Sequence, residues 1–161
     1  MRIATIIAAT LLLIITAGIG ALGTNRGLTD AKDINEKIAP MKSQLAQMAE
    51  SGSEDAAKLV NLSEQTGRLK AGAVFFALTT IIALALMIMM FVDKAVPIAA
   101  VALIAMALIA VFVNPQYDLG PTAPASARSL AYVTGVIAAL GAAAAYGASA
   151  LKKKKLSKAS A

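Results

Sequence analysis

The sequence predicts an all-α integral membrane protein with four transmembrane helices and an extramembrane helical hairpin between the first and second. Three observations predict it. Hydrophobic residues make up 58% of the 161-residue chain and charged residues only 15%, where a soluble domain has about 45–50% and about 25%. The surplus is gathered into four uncharged stretches, 3–22, 71–92, 95–113 and 129–151, each close to the ~20 residues that cross a bilayer as a helix. The polar segment between the first two stretches keeps its apolar residues at helical spacing rather than scattering them. The chain therefore divides into transmembrane helix 1 (1–23), an extracytoplasmic helical hairpin (24–70), helix 2 (71–93), helix 3 (94–113), an extracytoplasmic loop (114–128), helix 4 (129–151) and a basic cytoplasmic tail (152–161).

The first stretch follows Met1-Arg2, as the core of a signal peptide would. Its length of about 20 residues exceeds the usual 7–15-residue signal core, so a retained helix is expected. Small residues gather toward its end at Ala17, Gly18, Gly20, Ala21 and Gly23, whereas its centre is bulky.

Segment 24–70 holds seven acids and seven bases. Within it Ile34, Ile38, Met41, Leu45 and Met48 follow the alternating spacing of a heptad seam, which predicts a helix over 30–50. Ser51-Gly52-Ser53-Glu54 reads as a break followed by a capping box, with Ser51 as the cap and Glu54 reaching back. A second seam of Leu59, Leu62, Thr66 and Leu69 continues as Ala73, Phe76 and Thr80. That continuity predicts one unbroken rod entering the second apolar stretch, folded back on the first helix. Pro40 disturbs the first helix, because an interior proline removes a hydrogen bond and kinks it. Gly67 and Gly72 weaken the junction by about 1 kcal/mol each relative to Ala. The two seams either bury each other or offer a face to another subunit.

Asp93-Lys94 leaves almost no loop, so helices 2 and 3 must be antiparallel neighbours. Pro97 falls in the first turn of helix 3, where its missing N–H costs nothing. Helix 4 carries Gly135, Ala139, Ala143 and Gly147, a small residue at every fourth position, and a second such stripe at Gly141, Ala145 and Ser149. Stripes of this kind let helix backbones approach closely, and the first is the predicted helix-packing interface. Loop 114–128 is irregular, with Pro115, Pro121, Pro124 and Gly120. Tyr117, Tyr132 and Tyr146 suit interfacial anchors. Lys152, Lys153, Lys154 and Lys155 directly follow the last span and attract anionic lipid headgroups. A dense cluster of that kind resists translocation, which predicts both termini in the cytoplasm and a plasma or inner membrane location.

The chain has no Cys and no His. That excludes disulfides, thiolate metal sites and a Ser-His-Asp triad, and removes the usual general base near neutral pH. No Asp, Glu, Lys or Arg lies inside a span, and such residues are the ordinary marks of ion pathways and proton relays. Thr10, Thr16, Thr79, Thr80 and Thr134 are expected to bond to their own helix backbone. No catalytic residue, metal or cofactor is predicted, and the apolar helices offer a pigment or quinone only nonligating contact. The lysine tail lacks the interleaved aromatics of a nucleic-acid site. The layout resembles, in topology alone, the claudin-like and tetraspanin four-span proteins, whose outer cysteines this chain lacks.

The expected function is a non-catalytic membrane subunit. It would act as a scaffold or accessory component of a larger complex, with membrane lipid and other subunits, or itself, as partners. The alternative is a small oligomeric transporter or channel.

Overall fold

The computed structural model describes residues 2–92, 94–116 and 126–159. All regular elements among them are helical: α1 (Arg2–Asp33), α2 (Lys42–Glu50), α3 (Glu54–Glu64), α4 (Thr66–Val92), α5 (Val96–Val113) and α6 (Ala127–Ala159). Four of the helical stretches are long and apolar enough to span a membrane. α1, α4, α5 and α6 form an antiparallel bundle in which α1 lies between α4 and α6, and α5 completes the ring opposite it. α2 and α3 continue beyond one end as a two-helix hairpin.

The side chains are distributed in the reverse of a water-soluble bundle. Alanine fills the interior at Ala9, Ala83, Ala107, Ala138, Ala142 and Ala145, while Ile7, Leu11, Ile81, Ile98, Val101, Phe112 and Val136 are turned outward and exposed. A few large residues, Leu13, Phe76, Leu86 and Leu103, fill the space between the alanine layers. Thr16, Thr79 and Thr134 are buried, and each donates to the carbonyl four residues earlier at 2.8 Å, as expected for hydroxyls in an apolar helix. Thr10 departs from that expectation: its Oγ1 is buried without a hydrogen-bond partner.

Where the apolar run ends at Leu22, the backbone does not break. α1 runs through the 23/24 boundary to Asp33, with Arg26–Asp30 paired at 3.5 Å along its surface. The expected helix over 30–50 is interrupted ahead of Pro40. The proline ring would collide with the carbonyl one turn back, and the chain relieves this with a widened π turn over Ile34–Ile38, closed by Ala39 N–H donating to the Ile34 carbonyl. A tight 3₁₀ turn over Ala39–Met41 follows. The widened turn resets the helical phase, and the first seam divides: Ile34 and Leu45 are buried, Ile38 is half-buried, and Met41 and Met48 are exposed. The second seam keeps its phase, with Leu62 and Leu69 buried and Leu59 half-buried.

Between α2 and α3 the cap differs from the one expected. Met48 and Ala49 carbonyls accept from Ser53 N–H (3.1 Å) and Gly52 N–H (3.0 Å), a Schellman closure. It requires the left-handed conformation that Gly52 adopts at φ 100°. Ser51 therefore finishes α2, donating its hydroxyl to the Met48 carbonyl at 2.7 Å. Ser53 starts α3, its Oγ accepting from Ala56 N–H at 3.4 Å. Lys42 and Glu64 then pair across the hairpin at 3.2 Å. The predicted unbroken rod is also divided, by one turn residue at Gln65. Ser63 and Thr66 hydroxyls bond the carbonyls of Val60 and Ser63 there, and Gln65 reaches back to Asn61. These local side-chain bonds compete with the helical ladder.

Two glycines should respond to alanine with opposite sign. Gly52→Ala forces a left-handed Cβ and should cost about 1 kcal/mol, with amide exchange in α2 and α3 accelerating about fivefold. Gly67 is helical and its Cβ would meet open space, so Gly67→Ala should stabilise the junction by up to about 1 kcal/mol. Amide hydrogen exchange in detergent reads both.

Candidate functional site: the packing seams and the capped bundle end

Glycines bring α1 and α4 into close approach. Gly20, Gly23 and Gly27 face Thr80, Phe76 and Ala73 in antiparallel register. A Cβ at Gly23 would stand 2.7 Å from the Phe76 ring, and one at Gly27 would stand 3.2 Å from the Leu69 carbonyl. One at Gly20 would overlap the Thr80 hydroxyl. The absence of side chains on α1 thus makes the pocket that holds Phe76, which is fully buried. Thr80 Oγ1 lies 3.0 Å from its own Phe76 carbonyl and 3.3 Å from the Ala17 carbonyl of α1, a polar link across the seam.

On its other side α1 meets α6. A Cβ at Gly141 would touch Leu13 Cδ2 at 3.2 Å and Leu12 Cβ at 3.3 Å. The buried face of α6 is Ala131, Thr134, Ala138, Gly141, Ala142, Ala145, Ala148 and Ser149. It contains the second of the two predicted stripes. The stripe expected as the interface lies to one side of it: Gly135 and Ala139 are half-buried, with Val111 Cγ2 4.0 Å from a Gly135 Cβ, while Ala143 is exposed and the Gly147 position is open. The reason is geometric. At 3.6 residues per turn, each four-residue step advances about 40° around the helix, so a stripe that touches α5 at Gly135 has turned out of the bundle by Ala143.

At the hairpin end of the bundle, the carboxyl terminus of α5 is closed by side chains from two elements. Such a terminus leaves four carbonyls without helical donors. Arg68 of α4 donates Nη2 to the Phe112 carbonyl at 3.1 Å and Nε to the Val113 carbonyl at 3.3 Å. Asn114 donates both its backbone N–H (3.1 Å) and Nδ2 (2.7 Å) to the Ala110 carbonyl. A guanidinium here also opposes the negative end of the helix dipole. Asn114 is fully buried, and its Oδ1 has no conventional hydrogen-bond partner. That oxygen occupies the space a side chain at Gly72 would fill, close enough for a weak Cα–H···O contact. α6 begins beside this cluster, where Ser126 Oγ accepts from Ser129 N–H at 3.2 Å.

Sequence reasoning treated Gly72 as a weak point of the helix and did not single out Arg68 or Asn114 as partners of α5. The available signal was an arginine one turn before a glycine on one helix, with Asn-Pro closing another. Of the other sequence-predicted positions, Tyr132 and Tyr146 are both exposed, toward opposite ends of the apolar part of α6. Lys152 is half-buried and Lys154 exposed. The side chains of Lys153 and Lys155 lie outside the described residues, as do Asp93 and Tyr117. Among the described residues, no group of three or more Asp or Glu side chains is placed to hold a metal ion. What the arrangement brings together is backbone against backbone, with carbonyl groups capped.

No protein-family model, curated protein or solved structure matches this chain.

The Gly72–Asn114 contact can be tested by a double-mutant cycle. Gly72→Ala alone drives a methyl group into the Asn114 carboxamide and should cost about 1–3 kcal/mol, the usual range for overpacking. In an Asn114→Ala background the same change should be neutral or stabilising, because the obstruction is gone and alanine favours the helix. Thermal unfolding of the four proteins in one mild detergent gives the coupling.

Proposed function

We propose that this chain is a membrane-embedded, non-catalytic subunit, a scaffold or accessory component that packs beside other membrane proteins or further copies of itself. The observation that carries the reading is the reversed side-chain distribution. Ile3, Ile81, Ile88, Ile98, Val101, Phe112 and Val136 are each exposed over 60% or more of their surface, around an interior of alanine, glycine and self-bonded threonine. In water, exposing this much contiguous apolar surface is an aggregation hazard. In a bilayer it costs nothing, and close packing of small residues replaces the hydrophobic drive between helices.

Two exposed features favour partners over a solitary protein. Ala143 is exposed and the half-buried Gly147 borders open space on α6, and Met41 and Met48 leave two of the five residues of the predicted first seam exposed on the hairpin. Methionine is common on adaptable contact surfaces. On this reading the hairpin is extracytoplasmic, both termini are cytoplasmic and the membrane is the plasma or inner membrane, because the lysine cluster at the end of α6 opposes translocation.

Photocrosslinkers placed at Ala143, Gly147, Met41 and Met48 in native membranes test the proposal. Defined adducts to another polypeptide or to a second copy are expected from these sites, whereas probes at the buried Ala138 and Ala145 should link only within the chain. Uncrosslinked protein at all four sites, with a monodisperse monomer after mild extraction, would reject the subunit role. Release by alkaline carbonate would reject membrane embedding itself.

A further inference from the structure

Three of the four long helices carry the same spacing between cations. Arg2 and Arg26 on α1 are 24 residues apart, as are Lys70 and Lys94 flanking the apolar part of α4, and Arg128 and Lys152 on α6. At 1.5 Å per residue the pairs on α1 and α6 each span about 36 Å, whereas Lys94 lies just past the end of α4 at Val92. The helix register aligns two of the pairs. Gly141 sits against Leu13. Thirteen residues from that contact, Arg128 and Arg26 lie at one level, and eleven residues away in the other direction Lys152 and Arg2 lie at another. The Lys70–Lys94 pair has the same sequence separation but is displaced. With Gly27 against Ala73 and Gly20 against Thr80, Lys70 lies about one turn beyond Arg26, and Lys94 about one turn inside Arg2.

We propose that these cations form two belts that hold phospholipid headgroup phosphates, one in each leaflet. This rests on the membrane reading given above. A hydrocarbon core is about 30 Å thick, and about 40–45 Å including the headgroup layers. Cations about 36 Å apart therefore stand a few ångströms outside the hydrocarbon, at the level of the headgroup phosphates. The one-turn displacement on α4 lies within the reach of snorkelling lysines.

Arg26 already pairs with Asp30 along α1, and the case for lipid rests on Arg128. Among the described residues, Arg128 is half-buried in the first turn of α6 and forms no ion pair, and that turn contains no acid to answer it. A cation at a helix N-terminus is opposed by the dipole, so a neighbouring phosphate would answer both. Tyr132 lies one turn inside Arg128 and Tyr146 less than two turns inside Lys152, and both are exposed. Tyrosine at those depths belongs to the aromatic belts that lie just within the headgroups. The belt at the tail end contains Lys152 of the lysine cluster. The belt at the hairpin end, with Arg26 and Arg128, is a second and separate one.

The experiment is lipid selectivity in reconstituted vesicles. The full chain is placed in phosphatidylcholine vesicles containing either spin-labelled phosphatidylglycerol or spin-labelled phosphatidylcholine, and the motionally restricted fraction of each is measured. Wild-type protein should restrict phosphatidylglycerol preferentially. Each surface cation removed should weaken that preference by up to about fivefold, which corresponds to about 1 kcal/mol. R26Q/R128Q and K152Q/K153Q/K154Q/K155Q should each remove part of the selectivity, and the combined variant more than either, with Arg2, Lys70 and Lys94 accounting for what remains. Circular dichroism and flotation with the vesicles confirm that each variant is folded and inserted. If R26Q/R128Q is inserted and retains full selectivity, the hairpin-end belt does not exist, though the membrane reading survives. If the wild-type chain fails to float with vesicles, the membrane reading fails instead.

Discussion

Close approach of antiparallel backbones is the constraint on which the rest of the structure depends. α1 carries no side chain at Gly20, Gly23 and Gly27, and Phe76 occupies the space this leaves. Gly141 does the same on the other side of α1, against Leu12 and Leu13. With α1 held on both flanks, α4 and α6 are fixed relative to each other, and α5 closes the ring through Ala99, Ala100, Leu103 and Ala107. An interior built mostly from methyl groups buries little apolar area per residue. Its cohesion must come from many short dispersion contacts, each about 0.1–0.2 kcal/mol and steeply dependent on distance. Such a bundle tolerates bulk on its outside far better than one extra carbon inside.

The same constraint explains where the polar groups went. The carbonyls at the end of a helix have no helical donors, and side chains of the protein can supply them. Arg68 and Asn114 supply them at the end of α5, and Gly72 makes space for the Asn114 carboxamide. Thr16, Thr79 and Thr134 inside the bundle satisfy themselves on their own backbone. Thr80 also reaches the Ala17 carbonyl, which ties a hydroxyl to the glycine seam.

The long elements were legible in the sequence because their signal is length and composition, which tertiary context does not alter. Each of the four apolar stretches lies within a helix at least as long as itself, apart from a residue or two beside Asp93-Lys94. The antiparallel pairing of α4 and α5 and the place of Pro97 in the first turn of α5 also follow from short-range chemistry. The hairpin was legible as a hairpin but not in its phase. Pro40 was visible as a disturbance, yet a π turn that rotates Met41 and Met48 outward depends on how the chain chooses to avoid one steric clash. The cap moved from Ser51 to Ser53 for a similar reason: Gly52 permits a Schellman closure that takes Ser51 into the end of α2. At Gln65, hydroxyl and amide bonds over a few residues outweighed a seam that was apolar throughout.

The packing positions were the hardest to read. Every small residue in α6 looks alike along the sequence, and two overlapping stripes competed for the same role. Only the position of α1 decides between them: Leu12 and Leu13 need a glycine opposite, and Gly141 rather than Gly135 stands at that height. The outward stripe is then a consequence of the inward one. With Ala138, Ala142 and Ala145 committed to the interior, Ala143 and Gly147 must face away. In the proposed membrane setting this leaves a smooth strip amid bulky neighbours such as Val136 and Leu140. Lipid chains gain little there, whereas another helix could approach as closely as α1 does on the opposite side. The Ala-rich composition that makes the bundle compact therefore also makes it suited to company.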